Sequence, residues 1–250
     1  MKKWYRLLVK LWNSIRFFLS INWYKTLLLN FKKLPFNQAI KLPFFIYGRA
    51  RFTSILGDFI IDAPIERGMI GFGQAYEINK ASLGISEFNV NGTLIFKGHV
   101  QLGKDFFIFA SKHAVCEFGH MSSMGWRSKI ICTSSIRFGE FARFGPECQV
   151  IDTNFHNMKN TMTHEVFEKS KPIEVGSYNF ISNRVSVLKG CTTPKYCTIA
   201  SNSVCSRDYT AFGNNILIGG VPAQLIKENI TRDWSGEKAG LESLLMIFKK

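Results

Sequence analysis

The chain has 250 residues, 46% of them hydrophobic, with 23 phenylalanines and a formal net charge of +14. That length can bury a substantial core and needs only one domain with appendages. Six cysteines without a C-x-x-C pair give no support to a disulfide or zinc framework.

Residues 1–57 carry eleven Lys and Arg and no acidic residue, so nearly all of the net charge sits in the N-terminal fifth. Within it Trp4, Leu8, Leu11, Ile15 and Phe18 fall at helical spacing, and Trp12 and Leu19 widen the stripe. Lys3, Arg6, Lys10 and Arg16 break the apolar run too often for a spanning helix. No small-residue cleavage site follows an apolar core, so a signal peptide is not expected. Two readings remain open: a basic amphipathic segment lying in a membrane interface, or a helix packing on the end of the main domain. Nucleic acid is not an expected partner, because the basic residues are interleaved with aliphatic bulk.

Past Asp58 a beat of six emerges. Phe96, Leu102 and Ile108 hold it faintly, with Phe106 large for a small slot; Phe118, Met124 and Ile130 hold it with Ser122, Ser128 and Ser134 four residues on. After a slip of two, Phe138, Phe144 and Val150 resume it, with Ala142 and Cys148 in the small slot. From Val175 the beat is strict: Val175, Ile181, Val187, Thr193, Ile199 and Cys205, with Asn179, Val185, Cys191, Cys197 and Ser203 as the smaller partners. A period of six fits neither a helix nor a lone amphipathic strand. It fits a solenoid of short strands in which three strands close one triangular coil. Glycine follows the apolar residue at Gly103, Gly119, Gly125, Gly139, Gly145 and Gly176, where a tight corner is expected. The cysteines in these slots read as core packing in a reducing compartment.

Between Asn157 and Glu174 the beat disappears in NMKNTMTHEVFEKSKPIE, an expected loop excursion. After Pro222, AQLIKENI reads as a short helix, and Leu241, Leu244, Leu245 and Phe248 suggest a second, amphipathic one. The expected organisation is a basic N-terminal segment over 1–57, a β-solenoid over 58–208 with its excursion at 157–174, and a C-terminal cap over 209–250.

The stretches VGSYNFISNRVSVLKG and CTTPKYCTIASNSVCSRDYTAFGNNILIGGVPAQLIKE, with VIDTNFHNM upstream, resemble the hexapeptide-repeat acyltransferases, in the branch of sugar and polysaccharide O-acetyltransferases. The good match covers about a third of the chain, from Ile136 to Lys227. The resemblance implies a mainly β fold, a left-handed parallel β-helix with an N-terminal amphipathic helical segment and short C-terminal helices. It implies a homotrimer and an acetyl-CoA donor without a required metal. It also implies a sugar or glycan acceptor and a cytoplasmic address, with residues 1–35 as the candidate contact to the inner membrane face.

The same resemblance makes His156 the general base among five histidines, because it alone lies in the matching motif. An alcohol is almost fully protonated at neutral pH, so its attack on a thioester needs a proton acceptor within reach. Asp152 has two open readings: it orients the imidazole or holds acceptor, or it stabilises a turn. Asn154 shares that ambiguity. By position in the family pattern, Phe180, Asn183, Ser201, Ser206, Arg207 and Lys227 are the candidate donor-site residues; cations at Arg207 and Lys227 suit the negative charges of CoA. Ser182, Pro194 and Ala200 depart from the pattern by replacing repeat glycines. A soluble acetyltransferase for serine, an amino sugar or an antibiotic, or a non-catalytic β-helix scaffold, are the alternatives. A metal enzyme on the same scaffold would need three converging imidazoles.

Overall fold

The computed structural model describes residues 2–75 and 82–245. Three parallel sheets run along a common axis and the chain visits them in turn. The first face holds Phe44–Ile46, Ile70–Phe72, Val100–Leu102, Ser122–Met124, Arg143–Phe144, Phe180–Ile181, Thr198–Ile199 and Leu217–Gly220. The second holds Ala50–Ile55, Ser86–Val90, Phe107–Ala110, Lys129–Cys132, Gln149–Ile151, Ser186–Leu188 and Val204–Cys205. The third holds Asp58–Ile61, Thr93–Phe96, Val115–Phe118, Ser135–Phe138 and Ile173–Val175, continued by single bridges from Glu174 to Thr192 and from Thr192 to Asp208. This is a three-sided parallel β-helix.

The hexad apolar residues become three interior columns. On the first face Ile46, Phe72, Leu102, Met124, Phe144, Ile181, Ile199 and Ile218 pair in register from coil to coil. On the second, Phe88, Ile108, Ile130, Val150, Val187 and Cys205 do the same. Phe96, Phe118, Phe138 and Val175 form the third. All are buried. In-register parallel pairing puts like side chains above one another: Phe96 stacks on Phe118 at 5.3 Å and Phe118 on Phe138 at 5.2 Å between ring centroids. The early coils are wide enough to hold Phe106 in the small slot, packed edge-on against Phe88 at 5.0 Å. The later coils taper to Val, Ile, Thr and Cys. There Asn179 is buried in the interior, donating to Thr193 Oγ1 at 2.6 Å and accepting from the Cys197 N–H at 2.8 Å.

The corners work differently from the simple expectation. The left-handed conformation falls not on the repeat glycine but two residues later, at Asp105, Met121, Arg127, Phe141, Glu147 and Tyr178, with φ between 52° and 61°. The glycine is required by the coil beneath it. A Cβ on Gly139 would stand 2.5 Å from the Ser177 nitrogen and 2.7 Å from the Gly176 carbonyl carbon. Phe141, Tyr178 and Tyr196 stack outside one corner with centroids 5.1 Å apart. Such stacking is worth about 0.5–1.5 kcal/mol per pair and offsets much of the 1–2 kcal/mol or so that a left-handed non-glycine residue costs.

Three helices precede the solenoid: α1 (Lys2–Ser20), α2 (Trp23–Lys33) and α3 (Phe36–Ala39). α2 closes the open end. Asn30 Nδ2 donates to the Phe44 carbonyl at 2.8 Å, its Oδ1 accepts from the Phe44 N–H at 3.1 Å, and Thr26 Oγ1 accepts from the Ile46 N–H at 3.0 Å. Two helix side chains thus satisfy the edge of the first strand, which would otherwise invite another chain. α1 does not share this role: among its described side chains only Phe17 is half-buried, against Tyr47.

Three boundaries differ from expectation. The solenoid begins at Phe44, so its first two strands lie inside the 1–57 segment and the lead-in is part of the first coil. The excursion is an antiparallel hairpin, Met158–Lys159 against Val166–Phe167. The helix expected over AQLIKENI is instead a strand, Ala223–Lys227, paired antiparallel with Leu217–Gly220. The last coil exposes backbone donors and acceptors on its edge, and filling them outweighs the local helical propensity. α4 (Trp234–Leu245) then packs Trp234 on Phe141 and Tyr178. Of the expected amphipathic residues, Leu241 joins this cluster, the side chains of Leu244 and Leu245 are not described, and Phe248 lies outside the described residues.

Two outcomes follow from this packing. Gly139→Ala should cost about 2 kcal/mol or more and lower the melting temperature by several degrees, whereas Gly240→Ala, with open space around it in α4, should be neutral or mildly stabilising. Equal melting of Gly139→Ala and wild type would mean that the corners do not touch.

Stability should also fall at alkaline pH. Burial raises the Cys197 thiol to about 12 and the Cys116 thiol well above its usual value, and a hydrogen bond from Cys205 together with burial does the same for Cys191. Above about pH 9 the unfolded thiols lose protons that the folded ones keep, so the unfolded state binds fewer protons and gains as pH rises. Denaturant midpoints between about pH 8 and pH 10 measure this; a flat profile contradicts it.

Candidate functional site

The candidate base lies at the edge between the second and third faces, where the chain leaves the solenoid after Gln149–Ile151. Asp152 is fully buried there. Its Oδ1 accepts from the Thr133 N–H at 2.8 Å and the Thr133 hydroxyl at 2.9 Å, and its Oδ2 accepts from the Ser134 N–H at 2.7 Å. Both oxygens therefore hold the corner of the preceding coil, the turn-stabilising one of its two readings. Ser170 Oγ lies 2.9 Å from Thr133 Oγ1 and 3.0 Å from Thr153 Oγ1, and Thr153 Oγ1 accepts from the Phe155 N–H at 2.9 Å. Thr153 and Ser170 form an antiparallel bridge, the Lys171 N–H donates to the Asp152 carbonyl at 3.0 Å, and the Asn154 N–H donates to Lys169 at 2.8 Å. The hairpin has a pinned base, and His156 follows the left-handed Phe155 immediately above it.

His156 is exposed, and so are His113 and His164. Beyond the base the hairpin carries exposed Phe155, Met158, Met162, Val166 and Phe167. Its turn is set by Asn160, whose Oδ1 accepts from the Met162 and Thr163 N–H groups at 2.9 and 3.1 Å.

The donor-site candidates all lie in the last coils but not at one point. Asn183 and Ser201 meet at the edge between the first and second faces, where the Ser201 hydroxyl donates to Asn183 Oδ1 at 2.6 Å. Ser206 and Arg207 lie on the edge that carries His156, two coils further on, or about 10 Å along the axis at the usual strand spacing. Arg207 Nη2 donates to Gln224 Oε1 at 2.6 Å, and its guanidinium lies over Tyr209 and Phe212. Phe180 is half-buried on the first face beneath Arg232, 5.1 Å from its ring centroid. Lys227 is exposed opposite Leu217.

Several groups at these places escaped the sequence reading. Lys171 and Lys189 join Arg207 along the His156 edge, and Lys189 Nζ braces the hairpin by donating to the Glu168 carbonyl at 2.6 Å. No spacing rule marks a lysine that meets the excursion only through coil stacking. Arg232 and Trp234 likewise reach Phe180 and Tyr178 from a segment outside the repeat. On a different edge His99 and His120 lie 5.8 Å apart, with Glu66 3.7 Å from His99 Nε2, beside a cavity of about 360 Å³. Among the described residues no three His, Cys, Asp or Glu side chains are arranged to hold a metal ion.

No family model and no curated protein matches the sequence. Solved structures with similar architecture include the polySia-specific acetyltransferase NeuO, at 14% identity over 76% of this chain and 82% of that one, with a TM-score of 0.47. The polysialic acid O-acetyltransferase OatWY is 19% identical over 70% of this chain and 90% of that one, with a TM-score of 0.43. AntD, an N-acyltransferase from Bacillus cereus in complex with dTDP-4-amino-4,6-dideoxyglucose and coenzyme A, is 13% identical over 80% and 88%, with a TM-score of 0.46. The β-helix assignment stands on the strand register itself.

Replacing Asp152 separates its two readings. Asp152→Ala leaves the Thr133 and Ser134 N–H groups without their acceptor, an expected loss of about 1–3 kcal/mol, with faster proteolysis of the hairpin. An Asp152→Asn variant that melts like wild type but shifts the pH–rate profile would make Asp152 the orienting group instead.

Proposed function

We propose that this chain is a CoA-dependent O-acetyltransferase that moves an acetyl group from acetyl-CoA to a hydroxyl of a sugar or cell-surface polysaccharide precursor. The observation that carries the reading is the motif histidine at the one long break in the later coils. His156 stands on a pinned base, exposed, on an edge that also bears Lys171, Lys189 and Arg207.

In this reading His156 takes the acceptor hydroxyl proton as the oxygen attacks the thioester carbonyl, and the CoA sulfur leaves and is protonated in turn. Backbone N–H groups near the hairpin base stabilise the oxyanion. Arg207 and Lys227 attract the phosphates of the donor, Phe180 lies beside its arm, and Asn183, Ser201 and Ser206 line its path. Asp152 supports the base through the hairpin anchor. The exposed apolar hairpin reaches a neighbouring copy in a homotrimer, where grooves between copies receive donor and acceptor. No described helix is long and apolar enough to cross a membrane. Residues 1–35 bring a cytoplasmic enzyme to the inner membrane face, where a lipid-linked acceptor is presented.

A thiol-release assay with acetyl-CoA, a panel of sugars and lipid-linked glycan precursors tests this. Release should depend on acceptor, and His156→Ala should lower turnover about 100-fold or more while leaving CoA binding intact. Retained turnover removes His156 as the base; no release and no CoA binding removes the acyl-transfer reading.

A further inference from the structure

The two long N-terminal helices carry their apolar residues on the outside. On α1 the exposed Trp4, Tyr5, Leu8, Leu11, Trp12, Ile15, Phe18 and Leu19 fall within an arc of roughly 140° on a 100°-per-residue wheel. Phe17, the half-buried contact to Tyr47, lies on the opposite side of that wheel. The apolar face of α1 is therefore directed away from the solenoid. On α2 the buried positions are Thr26, Leu29 and Asn30, while Tyr24, Leu27, Leu28 and Phe31 make an exposed i, i+3, i+4, i+7 stripe. Phe36 of α3 extends this stripe, 6.2 Å from Phe31, and is 72% exposed.

A monomeric soluble protein rarely leaves so much contiguous apolar surface uncovered, so the identity of its occupant matters. Eleven Lys and Arg and no acidic residue lie in residues 1–57. On α1 Arg6 and Arg16 flank the apolar arc, and Lys25, Lys32, Lys33 and Lys41 accompany the second stripe. A second copy meeting this face through a two-fold contact would set like charges against one another. An anionic lipid leaflet offers both what the aromatic and aliphatic side chains need and what the cations need. Trp and Tyr at 4, 5, 12 and 24 have the amphipathic rings favoured at headgroup depth.

We propose that α1, the outer face of α2 and Phe36 form one composite surface that binds anionic lipid headgroups and lies in the plane of the interface. The proposal rests on the peripheral-membrane part of the reading above and adds to it the charge class of the lipid and an extent beyond residue 35. It also fixes a height. The first coil lies against this surface, and the hairpin base is four coils further on, about 20 Å at the usual strand spacing. A membrane-borne acceptor would need to extend its glycan by that distance to reach His156.

The test is co-sedimentation of the full chain with vesicles of phosphatidylcholine alone and with about 30% phosphatidylglycerol. Anionic vesicles should bind at least about ten-fold more tightly, with the difference abolished by about 0.5 M salt. Arg6→Glu with Arg16→Glu should remove the charge dependence. Trp4→Ala with Trp12→Ala should weaken binding to both vesicles, and both double variants should melt and release thiol with a soluble acceptor as wild type does. Equal binding to neutral and anionic vesicles overturns the anionic-lipid proposal while leaving peripheral contact standing. Absence of binding to either overturns both. An oligomer that the Trp4→Ala, Trp12→Ala pair dissolves, without vesicle binding by wild type, assigns the face to a second copy. Loss of acetyl transfer in wild type with vesicle binding intact removes the enzymatic reading alone.

Discussion

Each coil of this protein rests on the next through its corners, and that contact constrains everything else. A strand pairs in parallel with the strand one coil further on, and the pairing is in register only if every coil returns to the same angular position. Where Gly139 meets Gly176 and Ser177 there is no room for a side chain. The backbone approaches closely enough for the N–H of one coil to reach the carbonyl of another, as Gly139 does to Val175 at 2.7 Å. The left-handed residue two positions on completes the turn, and the side chains it projects outward form their own column.

From that constraint follow both the strength and the openness of the structure. The interior columns are continuous, so a change of bulk in one coil is passed to its neighbours; the taper from phenylalanine to valine and cysteine is the record of that matching. The two ends cannot be matched in the same way. At one end Thr26 and Asn30 of α2 supply hydrogen bonds that a further strand would have made. At the other, the chain folds back as Ala223–Lys227 and pairs with its own last strand. Both solutions satisfy the same unpaired backbone, one with side chains and one with main chain.

The edge that carries His156 shows how a rigid repeat holds an irregular segment. The solenoid continues on both sides of the hairpin, with Ile136 stacked on Ile173 across it. The excursion therefore enters and leaves at adjacent points, and Asp152, Thr153 and Ser170 need only close a short gap. A buried carboxylate is costly unless its oxygens are met, and here backbone N–H groups from the coil above meet them. The residue that resembles a catalytic partner in sequence thus serves the geometry on which a catalytic residue would depend.

The period of six, the apolar and small slots and the glycine positions are local properties of the chain, and they were sufficient to read the three-sided coil. They placed Val175, Ile181, Val187 and their counterparts in the core because a repeat forces each residue of a slot into the same surroundings. The winding and the catalytic role of His156 came through resemblance of motifs. What the sequence could not contain was decided between distant residues. AQLIKENI has helical preference but meets an open sheet edge and becomes a strand. The basic N-terminal segment divides into a capping helix and an outward-facing one, a distinction invisible in composition because both have similar residues. Lys189 reaches Glu168, and Arg232 reaches Phe180, only because coil stacking and the C-terminal return bring them together. A repeat writes its own contacts into the sequence at a fixed spacing; the segments that interrupt or cap it have no such spacing, and their partners are selected by the tertiary structure.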